Sequence, residues 1–345
     1  MASLFKLMTM NKTFSFIIPI YNRPEEMKEL LDSLCNQDTD VFEVVVVEDG
    51  STNTSEKVVA SFKDRLSISY FFKANSGPGA SRNFGMKRAK GNYFIILDSD
   101  CVLPSGYLSA VESYLAHHKV DFFGGPDAAD NSFSILQKAI NFTMTSFLTT
   151  AGIRGSAKAM QKFEPRSFNM GISKEAFLSS GGFGRIHPGE DPDLSIRLWE
   201  LGYVSSFIEK AFVFHKRRIS WRLFFKQVHA FGSVRPILMK HYPKYAKPIF
   251  WLPTLFVLFI LLGVILGLLG FKWPLILLGG YFGLLFVSAL IKEVSFFVAL
   301  SVVPAFFIQM FAYGWGFLKT KIRLLQSNKP FEEMFPNLYF KKGDE

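Results

Sequence analysis

Cysteine is scarce in this chain of 345 residues, which has only Cys35 and Cys101. Two cysteines so far apart form neither a disulfide framework nor the paired spacing of a structural zinc site. The sequence therefore favours a reducing compartment. The first residues, MASLFKLMTMNK, also lack the apolar stretch and the cleavage site of a signal peptide, so we expect the part before the hydrophobic runs to stay in the cytosol.

Charged residues are absent from three long segments near the C-terminus. Ile249–Leu269 has 21 residues without a charge, and roughly 20 residues are enough to cross a bilayer. Trp273–Ile291 and Val294–Leu318 are also uncharged, and only Lys292 and Glu293 separate them. Three such runs in succession are typical of a membrane-embedded region and not of buried core helices.

Acidic residues are absent from Lys210–Lys247, which holds ten Lys or Arg residues and contributes much of the net charge of +10. This basic block lies directly before the first uncharged run. That position favours a contact with anionic lipid headgroups on the cytosolic face over nucleic-acid binding, so no nucleic-acid partner is expected. Within the block, residues 218–241 are predicted to form a basic amphipathic helix on the membrane surface.

Strands alternate with helices in the first hundred residues. Four apolar runs are typical of strands: Thr13–Ile20, Phe42–Val47, Ile68–Phe72 and Tyr93–Leu97. Three segments between them are predicted helices: Glu25–Cys35, Ser55–Phe62 and about 78–89. This alternation predicts an α/β fold with a mostly parallel, doubly wound sheet. Ligands of such sheets bind beyond the carboxyl ends of the strands, where polar clusters follow the first, second and fourth runs.

The glycine pattern of a dinucleotide-binding fold is missing. That pattern belongs directly after the first strand, but the turn there, IPIYNRPEE, has no glycine. The later segment GPGASR has Arg82 where the last glycine should stand. An oxidoreductase is therefore excluded, while the helix start near Arg82 favours a phosphate.

Two carboxylates end the fourth apolar run in FIILDSDCVLP, which contains Asp98 and Asp100. A buried carboxylate needs a compensating charge. Mg²⁺ and Mn²⁺ take oxygen ligands and are often bound by one or two carboxylates together with substrate phosphates. The pattern alone is weak, because it also suits a solvated turn.

With its neighbours, this motif resembles family 2 glycosyltransferases, which have the GT-A fold. The matching segments occur in order over about residues 13–235: FSFIIPIYNRPEEMKELLDSLCNQ, VVVVEDGSTNTS, NSGPGASRNFGMKRAKGNYFIILDSDCVLP, NMGISKEAFLSSGGF and GEDPDLSIRLWELGY. The resemblance implies a GT-A catalytic domain followed by transmembrane helices. It also implies a UDP- or GDP-sugar donor, Mn²⁺ or Mg²⁺ as cofactor, and inversion at the anomeric carbon.

The resemblance assigns roles to individual residues. Donor binding falls to Pro19, Tyr21, Asp49, Arg82 and Asp98, and metal binding to Asp100. His215 is a candidate second metal ligand, because some GT-A enzymes use a late histidine. The alternative for His215 is an interfacial residue before the basic run.

Inversion in one displacement needs a base that deprotonates the acceptor hydroxyl. The resemblance places this base at Asp191, with Glu190 beside it, and implies that Asn169, Met170 and Gly171 line the sugar and acceptor pocket. The alternative from local sequence is that the acidic residues of GEDPD only cap a helix.

The acceptor is left open between two classes. Processive relatives carry Q-x-x-R-W before their membrane helices, but the counterpart here, Gln227–Phe231, has alanine and phenylalanine in place of arginine and tryptophan. We therefore expect transfer of a single sugar, to a hydroxyl of a lipid-linked saccharide in cell-surface glycan synthesis. A polyprenyl phosphate is the alternative acceptor, and a non-enzymatic nucleotide-sugar-binding scaffold is the alternative from another class.

Four consecutive segments are predicted: residues 1–217 as the GT-A domain, 218–247 as the interfacial helix and linker, 248–318 as two to three transmembrane helices, and 319–345 as a basic tail. We expect a multi-pass protein of the cytoplasmic (inner) membrane with its catalytic domain in the cytosol. Basic residues follow the third uncharged run closely, and positive charge prefers the cytosol. This favours two full crossings, with the remaining run interfacial or re-entrant.

Overall fold

The computed structural model describes residues 12–128, 133–150, 163–215 and 220–340. They divide into two compact units. The first unit contains residues 12–128 and 163–215 together with Tyr339 and Phe340, and the second contains the rest. The units therefore interleave along the chain, and the four predicted segments stay a prediction. The predicted boundary between residues 217 and 218 lies outside the described residues.

The first unit consists of short helices around β-sheets. Its strands are β1 (Phe14–Ile20), β2 (Phe42–Asp49), β3 (Ile68–Lys73), β4 (Tyr93–Leu97), β5 (Cys101–Val102), β6 (Phe122–Gly124), β7 (Asp127–Ala128), β8 (Asn169–Ser173), β9 (Ser205–Phe207) and β10 (Val213–His215). The α-helices of both units, among the described residues, are in order: α1 (Pro24–Cys35), α2 (Glu56–Ala60), α3 (Pro78–Arg88), α4 (Tyr107–His117), α5 (Ile135–Thr145), α6 (Phe147–Thr150), α7 (Lys174–Ser180), α8 (Glu190–Glu200), α9 (Trp221–His241), α10 (Leu252–Leu268), α11 (Trp273–Glu293), α12 (Phe296–Gln326) and α13 (Phe331–Met334).

The main sheet has the strand order β3-β2-β1-β4-β8-β6-β9. Strands β1 to β4 run parallel to one another, whereas β8 is antiparallel to both β4 and β6. The sheet is therefore mixed, with the reversed strand β8 in a mostly parallel arrangement, as predicted. The α/β class itself is confirmed.

The core lies on both faces of β1 and β4, whose residues are all buried. A continuous apolar run suits a central strand because helices cover both of its faces. Register places Ile17 of β1 beside Ile96 of β4, and Val45 of β2 on the other side of Ile17. The carboxyl ends of these parallel strands consequently meet at one edge, where their polar turns follow.

A second sheet of three short strands lies beyond that edge. Strand β10 pairs antiparallel with β5 and parallel with β7. The register sets His215 opposite Cys101 and Val213 opposite Asp127. This pairing brings a histidine from late in the chain next to the carboxylates that follow β4.

The second unit is helical. Three helical stretches are long and apolar enough to cross a membrane: Pro248–Leu268, Trp273–Glu293 and Phe296–Gln326. The three uncharged runs therefore form helices, as predicted. The predicted amphipathic helix corresponds to α9, although residues 218 and 219 lie outside the described residues.

Candidate active site

The turn after β1 is tied to the turns after β2 and β4. Asn22 has a positive φ of 55°, and its side-chain oxygen accepts hydrogen bonds from the backbone N–H groups of Thr52 and Asn53, each at 2.9 Å. The guanidinium of Arg23 lies 2.6 Å from Oδ2 of Asp100. Three chain segments thus converge at the carboxyl edge of the sheet, with Tyr21 52% exposed beside them.

Asp49, which ends β2, holds the loop that leads into α3. Its carboxylate accepts hydrogen bonds from the backbone N–H groups of Ser76 at 3.0 Å and Gly77 at 2.9 Å. The ammonium of Lys73 lies 2.5 Å from the same carboxylate. Asp49 therefore fixes the conformation of the loop beside the strand ends, a contact that sequence reasoning did not predict.

Arg82 joins the end of β4 to the start of α8. Its side chain is only 4% exposed and lies 2.8 Å from Asp98 and 3.0 Å from Glu190. Burial by itself would lower the pKa of Arg82, but Asp98 and Glu190 outweigh it, so the pKa is raised and the guanidinium stays charged. One buried cation thus compensates carboxylates from two distant motifs.

Glu190 is ionised at neutral pH. Burial would raise its pKa, but His187 and Arg82 overcome that effect and lower the pKa to about 2. Nδ1 of His187 lies 3.0 Å from Oε2 of Glu190. Glu190 is therefore bound from two sides, and its charge is already neutralised by neighbours.

Asp191 differs from Glu190 although it is the next residue. Burial raises its pKa to about 6, and the negative charge of Glu190 adds to this rise, while Arg82 and Arg166 partly oppose it. Oδ1 of Asp191 is buried and has no hydrogen-bond partner among the described residues. A half-buried carboxylate with a raised pKa and a free oxygen can accept a proton near neutral pH.

The second carboxylate after β4 belongs to a cluster that suits a divalent cation. Ligand atoms of Asp100, Cys101 and His215 lie within 4.8 Å of one another. Nε2 of His215 lies 3.2 Å from Oδ1 of Asp100, and Nδ1 lies 3.8 Å from Oδ2 of Asp127. A carboxylate oxygen with an imidazole nitrogen is a donor set that fits Mn²⁺.

The thiol of the cluster is a poor ligand, because burial and the nearby carboxylates raise the pKa of Cys101. For His215, burial would lower the pKa, but Asp100 and Asp127 raise it to about 10. A bound metal would have to displace the proton from the imidazole. The residues of the cluster that fit a metal are therefore Asp100 and His215.

The three predicted pocket residues of β8 lie inside the sheet. Asn169 is buried, accepts a hydrogen bond from the hydroxyl of Tyr107 at 2.6 Å and donates one to the carbonyl of Ala211 at 2.8 Å. Met170 is fully buried, and the ring of Phe123 packs against Gly171. Their contribution to a sugar pocket stays a prediction. Pro19 is likewise buried, within β1.

Sequence reasoning missed two cations of the site, Arg23 and Lys73. Lys73 ends β3 and Arg23 follows β1 by three residues, so both lie at the carboxyl edge of the sheet, but the sequence does not show which carboxylate each contacts. The signal that would have found them is a basic side chain within a few residues of a strand end that borders an acidic turn.

The arrangement of the first unit also occurs in solved structures. A mannosyltransferase from Pyrobaculum calidifontis, solved in complex with GDP-Man and Mn²⁺, aligns with a TM-score of 0.57 at 17% sequence identity, covering 91% of this chain and 88% of that one. The first unit has a GT-A-like fold.

Sequence comparisons give the family. Residues 15–177 match the sequence model of glycosyl transferase family 2, so the chain carries a family 2 glycosyltransferase domain. The GalNAc(5)-diNAcBac-PP-undecaprenol beta-1,3-glucosyltransferase of Campylobacter jejuni is 27% identical over 220 residues, 61% of this chain and 64% of that protein. An uncharacterized glycosyltransferase of Rickettsia bellii is 42% identical over 86 residues, 25% of this chain and 12% of that protein. The chain thus spans less than two thirds of the length of these relatives. The prediction of a family 2 glycosyltransferase domain is confirmed for residues 15–177.

Proposed function

We propose that this protein transfers a single sugar, with inversion, from a UDP- or GDP-sugar to a hydroxyl of a lipid-linked saccharide, and that it depends on Mn²⁺ or Mg²⁺. The observation that carries the proposal is the contact of Arg82 with both Asp98 and Glu190. It holds the carboxylates after β4, the proposed donor end, close to the start of α8, where Asp191 has a pKa suited to a base.

In the proposed reaction, Asp191 removes the proton of the acceptor hydroxyl as the oxygen attacks the anomeric carbon. The new glycosidic bond forms on the face opposite the leaving group, and the bond between the sugar and the diphosphate breaks. The nucleoside diphosphate leaves with the electron pair, and Asp191 keeps the proton until solvent removes it. General-base assistance of this kind typically contributes about 10²- to 10⁴-fold in rate.

The donor is proposed to lie along the carboxyl edge of the sheet. Pro19 and the exposed Tyr21 would border the nucleoside. Asp49 would hold the loop at the start of α3 next to the nucleoside. Asp98 would face the ribose, and Arg82 would keep Asp98 in position from behind. The buried Asn169, with Met170 and Gly171, would support the floor of the sugar pocket.

Asp100 and His215 are the residues proposed to hold the divalent ion. The ion, when bound, neutralises the negative charge that builds up on the leaving diphosphate. Arg23 already contributes positive charge to the same carboxylate. A bound ion would therefore share the carboxylate of Asp100 with this guanidinium.

The membrane-associated acceptor is supported by the second unit and by a relative. Three helices among the described residues are long and apolar enough to cross a membrane, and the name of the Campylobacter jejuni relative specifies an undecaprenol-linked acceptor. The basic helix α9 directly before these helices suits an anionic membrane surface. We therefore propose a multi-pass protein of the cytoplasmic membrane with its catalytic unit in the cytosol.

The test uses the full chain in membranes with a panel of UDP- and GDP-sugars, Mn²⁺ or Mg²⁺, and two acceptors: a lipid-linked saccharide and a polyprenyl phosphate. Asp191→Asn should lower kcat on the saccharide acceptor by about 10²-fold or more. Asp193→Asn is the matched control, because Asp193 lies in the same helical turn but pairs with Arg197 at 2.8 Å.

The two acceptors separate the proposal from its alternatives. A phosphate acceptor is already ionised and needs no base, so turnover of polyprenyl phosphate that is unchanged in Asp191→Asn would replace the proposed acceptor. Complete inactivity of the wild-type protein with every donor would instead favour a nucleotide-sugar-binding scaffold.

A further inference from the structure

The last described residues of the chain, Tyr339 and Phe340, belong to the first unit, which is the proposed catalytic unit. Tyr339 forms an antiparallel bridge with Ile186, and the backbone N–H of Phe340 donates a hydrogen bond to the carbonyl of Arg185 at 3.0 Å. The ring of Phe340 also packs against Gly77 and lies 5.6 Å from the ring of His187. The chain therefore leaves the catalytic unit after His215 and returns to it at Tyr339, with all candidate membrane helices in between.

A chain that leaves a soluble unit and returns to it must end on the side of the membrane where it began. We propose that the chain crosses the membrane twice, through a hairpin of α10 and α11, and that α12 lies in the membrane interface without crossing. The tail then reaches its site on Ile186 without passing through the bilayer. This topology holds whichever sugar or acceptor the enzyme uses.

The hairpin has the dimensions of two crossings. Pro248–Leu268 and Trp273–Glu293 each contain 21 residues, which at 1.5 Å per residue gives about 31 Å, close to the thickness of the hydrocarbon core. Gly263 and Gly267 let Leu275 and Leu278 of the second helix approach closely. The middle of the hairpin is otherwise widely exposed and apolar, as expected for a surface that faces lipid.

The C-terminal half of α12 packs against a helix that cannot cross. Gly232 of α9 contacts the backbone of Tyr313, and Nζ of Lys240 lies 3.4 Å from the carbonyl of Leu324. Helix α9 carries Arg222 and other basic residues along its whole length, so it suits the membrane surface. This half of α12 must lie at the same depth as α9.

The N-terminal half of α12 packs against another helix that cannot cross. Ala299, Val302 and Phe306 form one hydrophobic cluster with residues of α5, and α5 has only 11 residues. A helix this short does not span a bilayer. Helix α12 is thus held by α5 and α9, which stay on one side. It also contacts the hairpin: the hydroxyl of Thr254, near the start of α10, donates a hydrogen bond to the carbonyl of Gly314 at 3.2 Å, and the ring of Phe282 of α11 lies 4.7 Å from the ring of Phe307.

The exposed face of α12 is a continuous apolar stripe. Six exposed side chains recur at spacings of four and seven residues over the length of the helix: Phe296, Leu300, Phe307, Phe311, Trp315 and Ile322. One apolar stripe along 31 residues, with the rest of the helix surface packed on α5, α9, α10 and α11, suits a helix that lies in the plane of the membrane. The apolar stripe would contact the boundary between the lipid headgroups and the acyl chains.

The charges agree with this topology. Lys240, Lys244 and Lys247 precede α10, whereas the turn between α10 and α11 contains the single charge of Lys272. Two crossings put Lys319–Arg323 and the start of α10 on the same side, which satisfies the preference of basic residues for the cytosol. Three crossings would move Lys319–Arg323 outside.

Cysteine labelling of the full chain in sealed vesicles tests the number of crossings. Three exposed positions are probed one at a time with an impermeant maleimide, in a Cys35→Ser background that keeps the buried Cys101: Lys63→Cys, Lys272→Cys and Asn328→Cys. The proposal predicts that Lys63→Cys and Asn328→Cys are labelled from the same side and that Lys272→Cys is labelled only from the other. Asn328→Cys labelled from the side opposite to Lys63→Cys, or Lys272→Cys labelled from the same side as Lys63→Cys, overturns it.

Depth measurements test the orientation of α12 independently. A fluorophore attached to Leu300→Cys, Phe311→Cys or Ile322→Cys is quenched by lipids that carry the quencher at a known depth. An in-plane helix gives the same shallow depth at all three positions. A profile that is deepest at Phe311 and shallow at both ends indicates a crossing and rejects the in-plane helix.

Discussion

Arg82 and Glu190 form a buried ion pair, with 3.0 Å between Nη1 and Oε1 and side chains that are 4% and 5% exposed. The pair connects the first turn of α3 with the first turn of α8. Because Arg82 also contacts Asp98, the loss of any of the three residues removes a charge that compensates another one in this cluster. Such a charge is costly, whereas the intact cluster fixes the geometry of the site.

Glu190→Gln should destabilise the protein strongly, by about 3 kcal/mol, because it removes one partner of a buried ion pair. The pKa of Glu190 is lowered from 4.5 to about 2 in the folded state, so its stabilising effect is present above pH 4.5 and is lost as the pH falls towards 2. Thermal unfolding of the full chain in detergent, as a function of pH, measures both effects. Glu200→Gln, an exposed change at the end of the same helix, is the control, and equal melting temperatures would contradict the prediction.

The rate should depend on the ionisation of Asp191. Its pKa is raised to about 6, and the base acts as carboxylate, so kcat/KM should fall as the pH drops below about 6 and level off above it. The raised pKa also means that the folded state loses stability as the pH rises from 3.8 to about 6, since the native carboxyl keeps its proton longer.

Asp191→Asn should therefore be less active and yet more stable than the wild type at neutral pH. This opposite change separates a catalytic residue from a helix cap, whose removal lowers stability. A pH profile without a step near 6, or a lower melting temperature for Asp191→Asn, would argue for the capping role.

Much of the first unit could be predicted because its strands are continuous apolar runs. The strand Tyr93–Leu97 has the predicted bounds, and the polar turns after β1, β2 and β4 lie at one edge as expected. Periodicity and burial are local properties of the sequence. They therefore identify the strands without knowledge of the partners of each strand.

The contacts within the site could not be predicted in the same way. The pairing of Arg23 with Asp100 depends on which turn faces a flexible side chain, and the sequence does not fix that choice. Strand β8 contains five residues of ordinary composition, so its reversed direction and its place inside the sheet follow only from tertiary packing. The packing of the short helix α5 on α12 could not be predicted, because an apolar helix face can pack on any apolar surface and does not identify its partner.

His215→Gln should lower the affinity for Mn²⁺ by at least about tenfold, since even outer-shell partners of a metal ligand contribute that much. The paramagnetic signal of free Mn²⁺ measures binding directly, without turnover. His118→Gln serves as the control, because His118 is an exposed histidine that stacks on Tyr114. Unchanged Mn²⁺ binding in His215→Gln, with binding lost in Asp100→Ala, would limit the ligands of this chain to the carboxylate.

Gly77→Ala should release the tail from the catalytic unit. Gly77 has φ 93° and ψ 164°, a conformation that essentially only glycine adopts at low cost, and an added methyl group would overlap the ring of Phe340. Gly181→Ala is the matched control, because Gly181 also has a positive φ of 72° but has open space around it. Hydrogen exchange should show that the amide of Phe340, protected by the carbonyl of Arg185, loses its protection in Gly77→Ala and keeps it in Gly181→Ala. Protection that survives in Gly77→Ala would mean that the backbone contacts of Tyr339 and Phe340 hold the tail without the packing of the Phe340 ring on Gly77.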